Sequence, residues 1–154
     1  MKNRRIAGNA LLILYIAVTA FIFINSSRNA AESSAQSSGL AELFRNIYHM
    51  IFRGSEISYD RAVHIVRKTA HFTEFAFQGA LLSGFLICRF KGFNVIYVLF
   101  SGLFTACCDE FIQLFSEGRS SEVKDIFIDF SGCIAAAVLY TIIYIYIKRG
   151  KNTV

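Results

Sequence analysis

Lys68, His71, Glu74 and Gln78 are spaced by three, three and four residues in a stretch that is otherwise apolar. On a helix these four fall within an arc of about 120°, forming one polar stripe on a greasy rod. An imidazole beside carboxylates can move a proton, and carboxylates can hold a divalent cation. Arg67 with Lys68 can hold an anion through charge-assisted hydrogen bonds. Two later stretches carry complementary groups: Asp109, Glu110 and Gln113, then Arg119, Asp125 and Asp129. An ionised side chain deep in lipid costs roughly 2.5–3.5 kcal/mol on the lenient insertion scale. Such groups must therefore face protein, water or a ligand, and the three stretches are expected to meet.

The elements that would position them follow from composition. The chain has 154 residues, 55% of them hydrophobic, and no proline. Apolar blocks at 6–24, 69–88, 93–108 and 126–147 each approach the roughly 20 residues needed to cross a bilayer. The third extends to 115 through Phe111, Ile112, Leu114 and Phe115, which leaves Asp109 and Glu110 inside the helix. The pattern predicts an all-α integral membrane four-helix bundle with a short amphipathic extracytoplasmic helix. Residues 1–24 hold the N-terminal transmembrane helix, and 25–66 an extracytoplasmic linker and interfacial helix. Residues 67–147 form a three-helix core with spans at 69–88, 93–115 and 126–147, and 148–154 a basic cytoplasmic tail.

Orientation follows from the basic residues. Segments 1–5, 89–92 and 148–154 carry Lys2, Arg4, Arg5, Arg89, Lys91, Lys148, Arg149 and Lys151 and no acid. Both termini are expected in the cytoplasm, with every carboxylate outside or in the outer halves of the spans. The net charge of +5 is then a basic inner face and no nucleic-acid signal. The first apolar run exceeds the 7–15 residues usual in a cleaved signal peptide and has no small-x-small site after it, so a retained anchor is expected.

Segment 25–39, rich in Ser and Ala, reads as a flexible linker. Leu40, Leu43, Phe44, Ile47 and Ile51 then recur at helical spacing, predicting about a dozen residues of helix, either in the outer interface or capping the bundle. Ser58 is placed to cap a helix running into the second span. The pairs Ala80–Gly84, Gly102–Ala106 and Gly132–Ala136 allow close helix approach. Cys88, Cys107, Cys108 and Cys133 show neither metal-ligand nor redox spacing and are read as packing.

Depth argues for convergence. At about 1.5 Å rise per residue, Glu74 lies roughly 9 Å beyond Lys68. Asp109, Glu110 and Asp129 come to a similar level beneath the outer surface. Between them Gly118 breaks a turn, Ser121 is placed to cap the last helix with Glu122 in its first turn, and Arg119 comes over the mouth. Structural readings stand beside this one. Lys68 can snorkel to headgroups, and His71 can bond Glu74 within one helix. Asp109, Glu110 and Arg119 can form an ion-pair lock, and Gln113 and Asp129 can tie helices together.

The order Arg67-Lys68-x-x-His71-x-x-x-Phe75, then Asp109-Glu110-x-x-Gln113-x-Phe115-x-x-Gly118-Arg119 with Asp125, then Gly132, closely resembles the VanZ-like family from about Arg67 to Leu139. One departure is Asp129, where asparagine is expected of the family. The resemblance implies a protein of the bacterial cytoplasmic membrane, related in some members to low-level resistance to teicoplanin-type glycopeptides. It implies no biochemical activity.

Three functions are compatible with these residues. A binding or modulating protein would engage a lipid-linked cell-wall precursor or anionic glycolipid through Arg67, Lys68, His71, Glu74, Asp109, Glu110, Gln113, Arg119, Asp125 and Asp129. An intramembrane hydrolase or transferase would use His71, Glu74, Asp109 and Glu110. A transporter or proton relay would need an oligomer. Membrane lipid and a second copy of the chain are the other partners anticipated. No cofactor is expected, a divalent cation on the carboxylates being the one exception left open.

Overall fold

The computed structural model describes residues 2–52, 56–90, 93–119 and 121–151. Lys91 and the end of the basic tail at 152–154, both placed by the sequence analysis, lie outside them. Five helices follow one another: α1 (Lys2–Ser26), α2 (Ala30–Ile51), α3 (Tyr59–Arg89), α4 (Val95–Gln113) and α5 (Val123–Lys151). The described residues contain no strand. Three helices, α1, α4 and α5, are long and apolar enough to cross a membrane. α3 contains the expected span 69–88 but begins ten residues earlier, capped by Ser58, whose hydroxyl accepts from the Arg61 N–H.

The packing is inverted relative to a water-soluble bundle. Phe100 is 71% exposed, and Ile13, Phe104, Phe127 and Ile142 also face outward, while the interior holds Phe75, Ile22 and Val98 among many small or polar side chains, Ala62, Ala106, Ala136, Ala137, Cys133, Ser83 and Gln78. Lipid tails are as apolar as leucine, so large side chains lose nothing by facing them. Helices associate instead through small residues and internal hydrogen bonds. α3 is the central helix, packed against α1, α2 and α5, and α4 packs on α5 and α1. At the α3–α5 crossing Gly79 lies against Cys133 and Ala136, and Gly132 lies directly under the backbone of Phe72. Of the small pairs expected, Gly132 and Ala136 thus serve this crossing, and Gly102 meets Cys133 where α4 joins it.

Both ends of the bundle agree with the charge pattern. The Arg4 guanidinium donates to the Ile87 carbonyl at 2.8 Å, which brings the basic start of α1 to the end of α3. The Phe93 and Tyr144 rings meet at the same end, tilted, with centroids 5.9 Å apart. Carboxylates gather at the other end, where α1 and α4 finish and α3 and α5 begin.

Three boundaries differ from expectation. Segment 25–39 is not a loose linker, because a 22-residue helix starts at Ala30. Asn29 caps it by accepting from the Glu32 N–H at 2.8 Å, and the Ala30 N–H donates to the Glu117 carbonyl at 3.0 Å. Ser37 and Ser38 turn their hydroxyls back onto the carbonyls of Ser33 and Ala35, so serines compatible with a coil are absorbed by the helix. α2 is therefore about twice the expected length, and it packs on α3 through Ala41 and Phe44 against Ala62, Val63 and Val66. α4 stops at Gln113, two residues short of 115, and Leu114 and Phe115 enter the turn. α5 begins at Val123 with Asp125 in its first turn, so Ser121 and Glu122 precede the helix. Gly118 does break the turn, at φ +73°, a conformation that L side chains rarely adopt.

Candidate functional site

The polar stripe of α3 fans out to three other helices. Lys68 Nζ pairs with Asp125 Oδ2 of α5 at 2.5 Å, so it does not snorkel. His71 Nδ1 lies 3.8 Å from Asp109 Oδ2 of α4 and 3.7 Å from Asp129 Oδ1 of α5. Glu74 Oε1 accepts from the Asn25 side-chain amide of α1 at 3.1 Å, and no His71–Glu74 bond forms. Gln78 Nε2 donates to Thr19 of α1 at 2.8 Å and to Thr105 of α4 at 3.0 Å. One helical face thus turns its four polar groups onto α1, α4 and α5, which is why the stripe is tolerated in an apolar segment.

Asp109 is wholly buried and is the most constrained of the acids. The Ser26 hydroxyl donates to its Oδ1, and the Gln113 amide, one turn on, donates to its Oδ2 at 2.8 Å. The same amide reaches Glu110 Oε1 at 2.9 Å, so Gln113 steadies its own helix rather than tying two together. Glu110 Oε2 accepts the Glu122 N–H at 3.1 Å, fastening the end of α4 to the approach of α5. With these acids already supplied by nearer donors, Arg119 goes elsewhere. It donates to the Ser26 carbonyl at 3.3 Å and to the Ser33 hydroxyl at 2.9 Å, so the lock it forms joins α1 to α2 and is not an ion pair with Asp109 or Glu110. Burial and the neighbouring Arg67 charge both pull its proton affinity below the usual guanidinium range.

On α5, Asp125, Asp129, Gly132, Cys133, Ala136 and Ala137 form the buried face, close to the stripe expected from spacing. A cavity of about 120 Å³ opens beside this network, with Arg67, His71 and Glu74 of α3, Asn25, Ser33 and Arg119 in its walls. Of the ten residues singled out from the sequence, His71, Asp109, Glu110, Gln113 and Asp129 form one connected cluster, Arg67, His71, Glu74 and Arg119 line the adjoining cavity, and Lys68 and Asp125 pair with each other. Sequence reasoning missed Thr19, Asn25, Ser26, Ser33, Thr105 and Ser116, whose hydroxyl donates to the Ser26 carbonyl at 2.7 Å. The available signal for Asn25 and Ser26 was position: they end the first apolar run at the depth of the acids.

His71, Asp109 and Asp129 are also the group among the described residues whose ligand atoms come close enough to share a cation, all within 4.8 Å of one another.

The profile of a known family, described as VanZ/LLP1, matches the chain over residues 11–144. The chain belongs to the VanZ/LLP1 family. The match takes in α1 from Leu11 onward, all of α2, α3 and α4, and most of α5, so the helix carrying Ser26 is part of the family's unit. No curated protein and no solved structure matches the chain. Family membership, together with long apolar helices that turn their large side chains outward, makes this VanZ/LLP1 chain a membrane protein.

Proposed function

We propose that this VanZ/LLP1 protein spans the bacterial cytoplasmic membrane four times, through α1, α3, α4 and α5, with both termini in the cytoplasm. The polar end then faces outward, and α2 lies over it as a cap. There the cavity takes the anionic headgroup of a lipid-linked cell-wall precursor or glycolipid. The observation that carries this is the cavity wall itself: Arg67 and Arg119 share it with His71, Asn25 and Ser33, and with one carboxylate, Glu74, which Asn25 engages. Two guanidiniums with hydroxyl and amide donors match the oxygens of a phosphate or carboxylate. Altered presentation of such a lipid would account for low-level resistance to teicoplanin-type glycopeptides.

Binding of a lipid-linked precursor to the purified chain in nanodiscs tests this. Loss of a hydrogen bond to a charged group costs about 1.5–3 kcal/mol, so Arg119→Ala and Arg67→Ala are each expected to weaken binding by about 10–100-fold. Arg67→Ala matters because Arg119 also joins α1 to α2. Unchanged affinity in both removes the reading. Glycopeptide susceptibility of cells expressing wild type, Asp109→Asn or Arg119→Ala at equal membrane levels tests the physiological part.

A second reading, an intramembrane hydrolase or transferase, draws on one observation: His71 faces two carboxylates and lines the cavity. It would serve as general base, with Glu74, Asp109 and Glu110 as the acids around it. Product analysis with lipid-linked substrates, wild type against His71→Ala, decides between the two.

A further inference from the structure

We infer that His71, Asp109 and Asp129 form a binding site for one divalent first-row transition-metal cation, of the Zn²⁺ or Mn²⁺ type. The three side chains come from α3, α4 and α5 and converge from three directions on one point. His71 Nδ1 stands 3.8 Å from Asp109 Oδ2 and 3.7 Å from Asp129 Oδ1, too far to hydrogen-bond well and too close to be unrelated. Ligand atoms about 2.0–2.2 Å from a tetrahedral metal sit about 3.4 Å apart; the three atoms here lie within 4.8 Å of one another, so the side chains would close in on a bound cation.

Two observations separate this from a chance meeting of acids. Asp129 is 98% buried, and its Oδ2 has no hydrogen-bond partner; His71 Nδ1 is buried and unpartnered too. Buried polar atoms are rarely left so, and an unplaced ion is a standard reason. The nearest cations are also engaged elsewhere, Lys68 on Asp125 and Arg119 on Ser26 and Ser33. Two carboxylates and a neutral imidazole around a divalent ion sum to zero charge, which removes the cost of holding two acids in an apolar interior. The imidazole favours a transition metal over calcium or magnesium. Ser26 and Gln113, both donating to Asp109, would orient it as outer partners do in metal sites. Because His71 also lines the cavity, the cation would sit beside the space proposed for the anionic headgroup, but the site does not depend on that proposal.

The test uses the purified full chain in detergent, stripped with a chelator and titrated with Co²⁺ alone. Saturable uptake of one Co²⁺ per chain is expected, with a visible absorption band that Zn²⁺ abolishes. Asp129→Asn, nearly isosteric, and His71→Gln are expected to lower affinity by more than the roughly 10–100-fold that outer-shell changes cost. Glu42→Gln, on the exposed face of α2, should bind like wild type. No saturable uptake by wild type overturns the inference, and so does equal uptake by Asp129→Asn. Thermal melts with and without Zn²⁺ cover a variant that folds poorly: wild type should be stabilised and Asp129→Asn should not. Arg119-dependent lipid binding measured on the stripped protein separates the two proposals, since it can survive when the metal site fails.

Discussion

Lys68→Met is expected to destabilise the folded protein by about 3–5 kcal/mol, the range for leaving one member of a buried ion pair without its partner. Asp125→Asn should cost less, about 1–3 kcal/mol. The asymmetry comes from burial. The Asp125 side chain is 6% exposed and the Lys68 side chain 25%. Asp125 Oδ1 already lacks a hydrogen-bond partner, so without Lys68 the whole carboxylate is stranded. Lys68, freed of Asp125, has a four-carbon stem with which to reach the nearby surface. Lys68→Met combined with Asp125→Leu should recover most of the loss, because apolar replacements of a buried pair are often neutral. Denaturant unfolding in micelles for the four proteins of this cycle measures the coupling. Equal single-variant costs that simply add would mean that the pair is exposed and contributes little.

The side of α3 that matters was legible for a reason specific to membranes. In water, Lys68, His71, Glu74 and Gln78 at helical spacing would be an ordinary solvated face. Beside Phe72, Phe75, Phe77 and the apolar run that follows, the same spacing demands partners, and the acids at 109, 110, 125 and 129 were the ones on offer. What spacing could not assign was who pairs with whom. Arg119 was matched to acids because charge seeks charge. In the structure those acids take Ser26, Gln113 and the Glu122 N–H, and the guanidinium goes to a carbonyl and a hydroxyl. Neutral donors on the same helix or at the end of α1, already held within reach by helix geometry, occupy those carboxylates, and the guanidinium is left to bridge α1 and α2.

The opening third of the chain was harder to read. Thr19 lies inside the first span and Asn25 and Ser26 at its end, and none of the three carries a charge, so nothing in their types announced a contact with Gln78, Glu74 or Asp109. α2 was hidden by its serines. Its helix rests on contacts far away in sequence, from Ala30 to Glu117 and from Ser33 to Arg119, and tertiary contacts of this kind override weak local propensity. Ser58 and Gly118 were legible from their own chemistry, one as a helix cap and one as a residue able to take positive φ.

Gly132→Val should destabilise by more than about 3 kcal/mol, beyond the usual range for overpacking. A Cβ at Gly132 would collide with the Phe72 carbonyl oxygen and stand 3.0 Å from the Ala76 nitrogen. Both obstacles are backbone atoms of α3, which cannot rotate aside, so α3 and α5 must part. At Gly102 an added Cβ would meet the Cys133 side chain, whose thiol can rotate but whose Cβ, 2.7 Å away, cannot, so Gly102→Ala should also destabilise, though by less because no backbone atom of the neighbouring helix is struck. Gly39, in the middle of α2, has nothing within 4 Å, and Gly39→Ala should stabilise by about 0.5–1 kcal/mol. Thermal melts in one detergent would give this order, and a Gly132→Val protein melting like wild type would mean that α3 and α5 do not cross there. The effect should reach the polar end as well. Asp129 and Asp125 stand one and two turns from Gly132 on the same face of α5, opposite His71 and Lys68. A wedge at the glycine therefore draws both carboxylates away from α3, and cation uptake should fall together with stability.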